Sequence, residues 1–187
     1  MTAAIAPIGI AGVGGIGSNV AANLVRSGID FLRIVDFDRV EASNLNRQFY
    51  FADQIGQPKT EALSHNLRRI RPDLRIEAVL ARIDAGNCKA IFAGCDLVVE
   101  GFDRPTDKKM LLELLGEDRI VVSACGIAGS DLAAIRTRRL GTGFIVGDFA
   151  ADCADAPLFA HKVGAIASHM SAIILHLRGL THDCPNR

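Results

Sequence analysis

Tryptophan is absent and tyrosine occurs once in the 187 residues, although 49% of them are apolar. The core must therefore be aliphatic, built from Ala, Val, Ile and Leu, and a chain of this length holds about one domain with room for a substantial interior. Net charge is lacking too, since 21 Lys and Arg offset 21 Asp and Glu. That balance gives no electrostatic reason for attachment to nucleic acid or to an anionic membrane. No apolar run approaches the roughly 20 residues that cross a bilayer, and no basic segment followed by a longer apolar stretch precedes the first strand. The expected location is the cytoplasm. Cys88, Cys95, Cys125, Cys153 and Cys184 are widely spaced and contain no C-x-x-C pair. This excludes a disulfide framework, and no structural zinc is expected.

What the chain does have is a glycine cluster near its start. The apolar run Ile5 to Ala11 reads as a buried strand, and Gly12, Gly14 and Gly17 then give G-x-G-x-x-G before a helical segment from Ser18 to Ser27. In such a unit the first glycine makes a tight turn, the second admits a phosphate close to backbone, and the third lets helix pack on strand. Free N–H groups at the helix start, carrying roughly half a positive charge, face the anion. Asp36, at the end of the second apolar run, stands where this architecture receives a ribose.

Farther along, Gly28 reads as a left-handed helix cap, and Pro58 opens a helix to about Ile70. Ala62, Leu63, Leu67 and Ile70 form its apolar stripe, with Lys59, Glu61, His65, Arg68 and Arg69 on the other face. Strands are expected over Arg75 to Ala81, Asp96 to Glu100 and Ile120 to Ala124, with helices over Asp84 to Phe92 and Thr106 to Leu115. Strands alternating with helices imply right-handed crossovers and a mostly parallel sheet covered on both faces. Ala133 to Leu140 and Gly143 to Val146 follow without an intervening helix, so that pair should be antiparallel. Gly147 to Ala160 reads as a loop. Val163 to Leu180 forms a last helix whose stripe runs through Ile166, Ala167, Met170, Ile173, Ile174 and Leu177, widened by Ala172 and Leu175. The fold class is α/β, Rossmann-like and doubly wound, with a C-terminal antiparallel strand pair and a final long helix. One domain is expected over residues 1–180, with a polar tail from 181 to 187.

In a doubly wound sheet the ligand lies beyond the carboxyl ends of the strands. A dinucleotide brings two phosphate charges that a helix N-terminus holds with little help. A nucleoside triphosphate under attack brings about four and calls for fixed cations and a metal. Arg47 and Lys59 follow Asp36 at a spacing that lets them fold back over phosphates, and Asp103 is suited to hold Mg²⁺ against them. That set favours ATP over NAD.

Gly12 to Ser18, the Asp36-Phe37-Asp38 pair, Ser43-Asn44-Leu45-Asn46-Arg47-Gln48, Ile55 to Lys59 and Asp96 to Asp103 together resemble the ThiF/MoeB branch of the ubiquitin-activating-enzyme superfamily. The likeness extends from about Ile8 to Leu180 and includes Gly126 to Gly129 and His161 to Gly164, as in the short ThiF-type proteins. It implies adenylation of a carboxylate, usually the C-terminal glycine of a small ubiquitin-fold sulfur carrier ending in Gly-Gly, by attack on the α-phosphorus of Mg-ATP. Thiamine or related sulfur-transfer biosynthesis is the implied setting, and a homodimer the implied assembly. By position, Asp36 would bind ribose, Gly15 would offer backbone, and Asn44, Arg47 and Lys59 would contact phosphate. Gln48, Gly12, Gly14 and Gly17 complete the nucleotide set; Arg47, Lys59 and Asp103 are the catalytic set, with Asp103 on the metal. Arg104 stands where the branch commonly has Asn.

Each residue also has a plainer reading. Arg47 and Lys59 could be solvated cations, Asp103 could cap the next helix, Asp38 could shape a turn, and the histidines could be surface groups. Cys153, then Cys125, are the candidates for a reactive thiol, although Asp152 and Asp155 would raise the Cys153 pKa. Cys88 and Cys95 read as apolar fillers. Alternatives to the carrier reading are adenylation of a small carboxylic acid and a non-catalytic nucleotide-binding scaffold.

Overall fold

Central strands buried along their whole length make a sheet covered on both faces. In a computed structural model describing residues 6–150 and 156–180, seven strands form one sheet in the order β3-β2-β1-β4-β5-β7-β6. They are β1 (Ile8–Ala11), β2 (Phe31–Asp36), β3 (Arg75–Leu80), β4 (Leu97–Glu100), β5 (Ile120–Cys125), β6 (Arg136–Leu140) and β7 (Gly143–Gly147). Neighbours run parallel except for the β6–β7 pair, which is antiparallel. This is the doubly wound, Rossmann-like arrangement expected.

Helices α1 (Gly15–Arg26), α2 (Lys59–Ile70) and α5 (Ala160–Leu177) pack on one face, and α3 (Cys88–Ile91) and α4 (Pro105–Leu115) on the other. Strand residues sort accordingly. Ile8, Ile10, Leu97, Val99 and Val122 join the first core with Val20, Leu24, Ile166 and Met170, whereas Val98, Val121 and Val35 join the second with Phe92, Leu111 and Leu115. Gly9 is a glycine because Phe92 occupies the place of its side chain: a Cβ there would lie 2.7 Å from the ring. Leu97, Val98 and Val99 are essentially inaccessible, and burial of such side chains stabilises the fold by about 1.5–3 kcal/mol each.

Element boundaries differ from the sequence reading where local hydrogen bonding intervenes. α1 begins at Gly15 rather than Ser18, because Gly17 sits inside the first turn against the Gly12 carbonyl. Asp84 to Asn87 is a turn rather than helix: the Asp84 carboxylate accepts the Gly86 and Asn87 N–H groups, 2.8 and 3.1 Å away. Residues 133–135 also turn before β6, Ala133 donating to the Asp131 carboxylate at 2.8 Å. α5 runs three residues earlier than expected, from Ala160 to Leu177, and Gly179 (φ +68°) closes it. Ala172 and Leu177, assigned to its apolar stripe, are exposed. Lys59, assigned to the solvent face of α2, is buried. The tail from 181 to 187 lies outside the described residues.

Two glycine substitutions should act with opposite sign. A Cβ on Gly17 would fall 1.9 Å from the Gly12 carbonyl oxygen, so Gly17→Ala is expected to lose about 3 kcal/mol of unfolding free energy in urea titrations followed by circular dichroism. Gly164, inside α5, has nothing within 4 Å of its Cβ position, and Gly164→Ala should gain about 1 kcal/mol.

Candidate functional site

A cavity of about 260 Å³ opens beyond the carboxyl ends of β1, β2, β3 and β4. Its floor is the turn from β1 into α1. Gly12 takes φ +82°, and Gly101 donates its N–H to the Ala11 carbonyl at 2.9 Å, so the chain after β4 lies against that turn. Gly14 caps α1 without a side-chain bond, and no acidic residue stands in the first turn. The N–H groups of that turn are left for an anion.

Asp36 ties the floor to the exit of β2. One carboxylate oxygen accepts the Val13 N–H at 2.8 Å, and the other accepts the Asp38 N–H at 2.8 Å. The residue is 8% exposed and still lines the cavity. Tyr50 braces the same turn, donating its hydroxyl to the Val13 carbonyl at 2.7 Å. Burial, reinforced by the negative charges of Asp36 and Asp38, holds the Tyr50 pKa far above its ordinary value, so the hydroxyl remains a donor.

The run from Ser43 to Gln48 stands over the start of α1 and is held there by polar side chains outside it. Asn19 donates to the carbonyls of Gly15 at 2.6 Å and Arg47 at 2.8 Å. Ser18 donates to the Gly14 carbonyl at 2.6 Å while accepting the Phe49 N–H at 3.0 Å. Asn66, from α2, donates to the Phe49 carbonyl at 2.9 Å and pairs with Gln54. Asn19 and Asn66 gave no sequence signal beyond a polar residue in a helix, whereas Ser18 closes the glycine motif.

Arg47 lines the cavity, its guanidinium oriented by the Ser43 carbonyl at 3.0 Å and the Asn46 side chain at 2.7 Å. Lys59 lines it from the start of α2, paired with Asp38 at 3.0 Å. Gln48 does so as well, and its Oε1 is the single buried side-chain polar atom without a partner among the described residues. A buried acceptor left open at a cavity wall suits a ligand donor. Asn44 is placed differently. It does not line the cavity; its side-chain Oδ1 accepts the Glu41 N–H at 3.1 Å, closing the short turn Ala42–Asn44. Gly17 is likewise absent from the lining and serves helix packing.

Asp103 projects into the cavity after β4, exposed and without an ion pair or hydrogen bond among the described residues. It is not the cap of α4: that position belongs to Arg104, which bonds Asp107 at 2.8 Å. The turn that carries Asp103 is anchored by Glu100, a residue read only as part of a strand. Its fully buried carboxylate accepts Phe102 N–H at 2.7 Å, Ser123 Oγ–H at 2.6 Å and Lys108 Nζ at 2.9 and 3.0 Å. The described residues contain no cluster of three His, Cys, Asp or Glu side chains able to enclose a metal. One free carboxylate beside a phosphate cradle nevertheless matches how Mg²⁺ binds, through one or two carboxylates plus phosphate oxygens and water.

The cavity has two distinct ends. At one, the Arg82 guanidinium lies 5.3 Å from the centroid of the Phe37 ring, beside Ala81 and Ile83. At the other, Ile127, Leu158 and Val163 form an apolar wall. Cys125 is exposed at the end of β5 and does not line the cavity. Cys153 lies outside the described residues. No helix among the described residues is long and apolar enough to cross a membrane.

The profile of the ThiF family matches residues 5–137 of this chain. SAMP-activating enzyme E1 of Haloferax volcanii is 39% identical over 95 residues, 50% of this chain and 35% of that protein. The sulfur carrier protein adenylyltransferase of Thermus thermophilus is 36% identical over 99 residues, 52% of this chain and 36% of that protein. The matched stretch spans about a third of the length of these relatives. The E. coli tRNA N6-threonylcarbamoyladenosine dehydratase TcdA, crystallised with AMP, shares the fold with a TM-score of 0.81 at 21% identity, over 93% of this chain and 88% of that one.

Thiol reactivity should follow burial. Desolvation raises the pKa of Cys88 and Cys95, so at about pH 8, near the ordinary thiol value, both stay protonated. Iodoacetamide is expected to label Cys125 in the native protein and to reach Cys88 and Cys95 only after unfolding, as peptide mass spectrometry would register.

Proposed function

The chain belongs to the ThiF family, and we propose that it activates a carboxylate as its acyl-adenylate, with ATP as donor and pyrophosphate as leaving group. The observation that supports this most is the convergence on one cavity of an uncapped helix start, two cations and a free carboxylate: Gly14 and Gly15, Arg47, Lys59 and Asp103. Such a set matches a bound polyphosphate better than a dinucleotide, which needs little cationic help.

The substrate carboxylate is ionised at neutral pH and needs no general base. One of its oxygens forms a bond to the α-phosphorus as the bond from that phosphorus to the bridging oxygen breaks, and the electron pair leaves with pyrophosphate. Charge therefore moves toward the β- and γ-phosphates. Arg47 and Lys59 stabilise it there, and the first N–H groups of α1 hold the phosphates in line. Asp103 would hold a Mg²⁺ ion that screens the phosphates from the incoming carboxylate. Asp36, already holding the floor, offers its oxygens to the ribose, and the Phe37–Arg82 end provides a flat surface for the base.

The substrate best supported is a small ubiquitin-fold carrier ending in Gly-Gly, because the SAMP-activating enzyme and the sulfur carrier adenylyltransferase match residues of this same domain. A sulfur-transfer route such as thiamine biosynthesis is the proposed setting.

Carrier-dependent ATP–pyrophosphate exchange, measured over a panel of carriers ending in Gly-Gly, tests the reading. Arg47→Ala and Asp103→Ala should each lower exchange by about 10²–10³-fold, with Lys59→Met acting in the same direction. Binding of ATP without exchange for any carrier would instead mean a nucleotide-binding scaffold, and preferential binding of NADH would remove the polyphosphate site altogether.

A further inference from the structure

The chain keeps one more cation beside the cavity, and it does not face a ligand. Lys162, in the first turn of α5, is 1% exposed and does not line the cavity. Its ammonium donates to Asp148 Oδ2 at 2.5 Å and to the Ala128 carbonyl. Asp148 follows β7, and Ala128 lies between β5 and β6. A single buried ammonium thus joins three segments that are far apart in sequence. Burying a charge is unfavourable unless it is paired and hydrogen-bonded, so an apolar side chain could fill this place more readily unless the junction itself matters.

The surroundings are shaped to keep that junction. Gly126 takes φ +71°, and a Cβ on it would lie 2.0 Å from Asp148 Oδ1. Asp148 also accepts the Ala150 N–H at 2.9 Å. Between them, Phe149 adopts φ +63°, the single non-glycine residue with positive φ among the described residues. That conformation costs about 1 kcal/mol or more, and the Arg138 guanidinium lies 4.0 Å above the ring.

Two of the three segments that Lys162 joins carry part of the apolar wall. Ile127 adjoins Ala128, and Val163 adjoins Lys162. Leu158 is tied in through the bridge to Gly129, whose N–H donates to the Pro157 carbonyl at 2.9 Å. The wall borders the phosphate end of the cavity: a Cβ on Gly15 would lie 3.3 Å from Val163 and 3.9 Å from Arg47. We infer that Lys162 is a positioning residue that holds Ile127, Leu158 and Val163 as the surface for the residues next to the reacting carboxylate. The inference rests on the acyl-adenylation reading, in which the carboxylate approaches from the side away from the base.

The test compares Lys162→Met with the double variant Lys162→Met/Asp148→Asn, which removes both charges. Both variants take the ammonium away from Asp148 Oδ2 and the Ala128 carbonyl, and both should lose thermal stability. In both, amide hydrogen exchange over 126–129 should quicken by about tenfold, with the Gly12–Gly17 amides unchanged. In ATP–pyrophosphate exchange with a Gly-Gly carrier, carrier KM should rise by about tenfold or more in both variants while ATP KM stays within about twofold. The inference is overturned if the double variant regains the wild-type carrier KM, if the two KM values rise in parallel, or if amide protection at 126–129 does not change. Should the wild type show no carrier-dependent exchange, the adenylation reading fails, and the amide measurement alone decides whether Lys162 holds the wall.

Discussion

The carbonyl oxygen of Gly12 lies so close to Gly17 and Gly101 that neither residue can carry a side chain, a Cβ falling 1.9 and 2.7 Å away respectively. The rest of the site depends on that crowding. It places the start of α1, the end of β1 and the chain leaving β4 in van der Waals contact, so the helix N-terminus and Asp103 open into the same cavity. A Cβ at either glycine would push apart the two groups that an anion and its counter-ion must share. The Asp36 carboxylate then fastens this floor to the exit of β2, and Glu100 fastens the exit of β4. Both are acidic residues whose oxygens first satisfy backbone N–H groups, which keeps the loops rigid around an otherwise open space.

Much of this was legible in the sequence, for identifiable reasons. The mostly parallel sheet, the antiparallel β6–β7 pair and the helices followed from hydrophobic period and glycine position, because those signals reflect burial on two faces of one sheet. The gathering of Gly12, Asp36, Arg47, Lys59 and Asp103 followed from the rule that ligands lie beyond strand ends. What escaped was local polar chemistry. Asn44 has the residue type of a phosphate contact but turns back to cap its own short turn. Lys59 has the type of a surface cation but is buried against Asp38. Asn19 lies in no motif, and Ser18, Glu100 and Lys162 lie within stretches of the resemblance that assign them no role; what each does depends on partners 14 to 34 residues away. Periodicity reports which face is buried; it does not report which buried polar atoms meet.

Those hidden contacts decide how the cavity answers charge. Lys59 is paired with Asp38, and Arg104 with Asp107, while Arg47 is held by a carbonyl and an amide oxygen. The cations are thus already oriented, so little reorganisation accompanies the arrival of an anion, and this is the condition under which fixed charges act most strongly on a developing one. Arg47 is set apart from the other two. Its partners are neutral oxygens, so its charge is undiminished in the cavity, whereas Lys59 and Arg104 share theirs with neighbouring carboxylates. A polyphosphate would draw on Arg47 first and would have to compete with Asp38 for Lys59. The same comparison separates Asp103 from Asp36, Asp38 and Asp107: three of the four carboxylates at the cavity are occupied by donors of the protein, and among the described residues only Asp103 is open. An unpaired guanidinium, Arg47, and an unpaired carboxylate, Asp103, thus line the same cavity as an uncapped helix start, so both charges are open to whatever enters it.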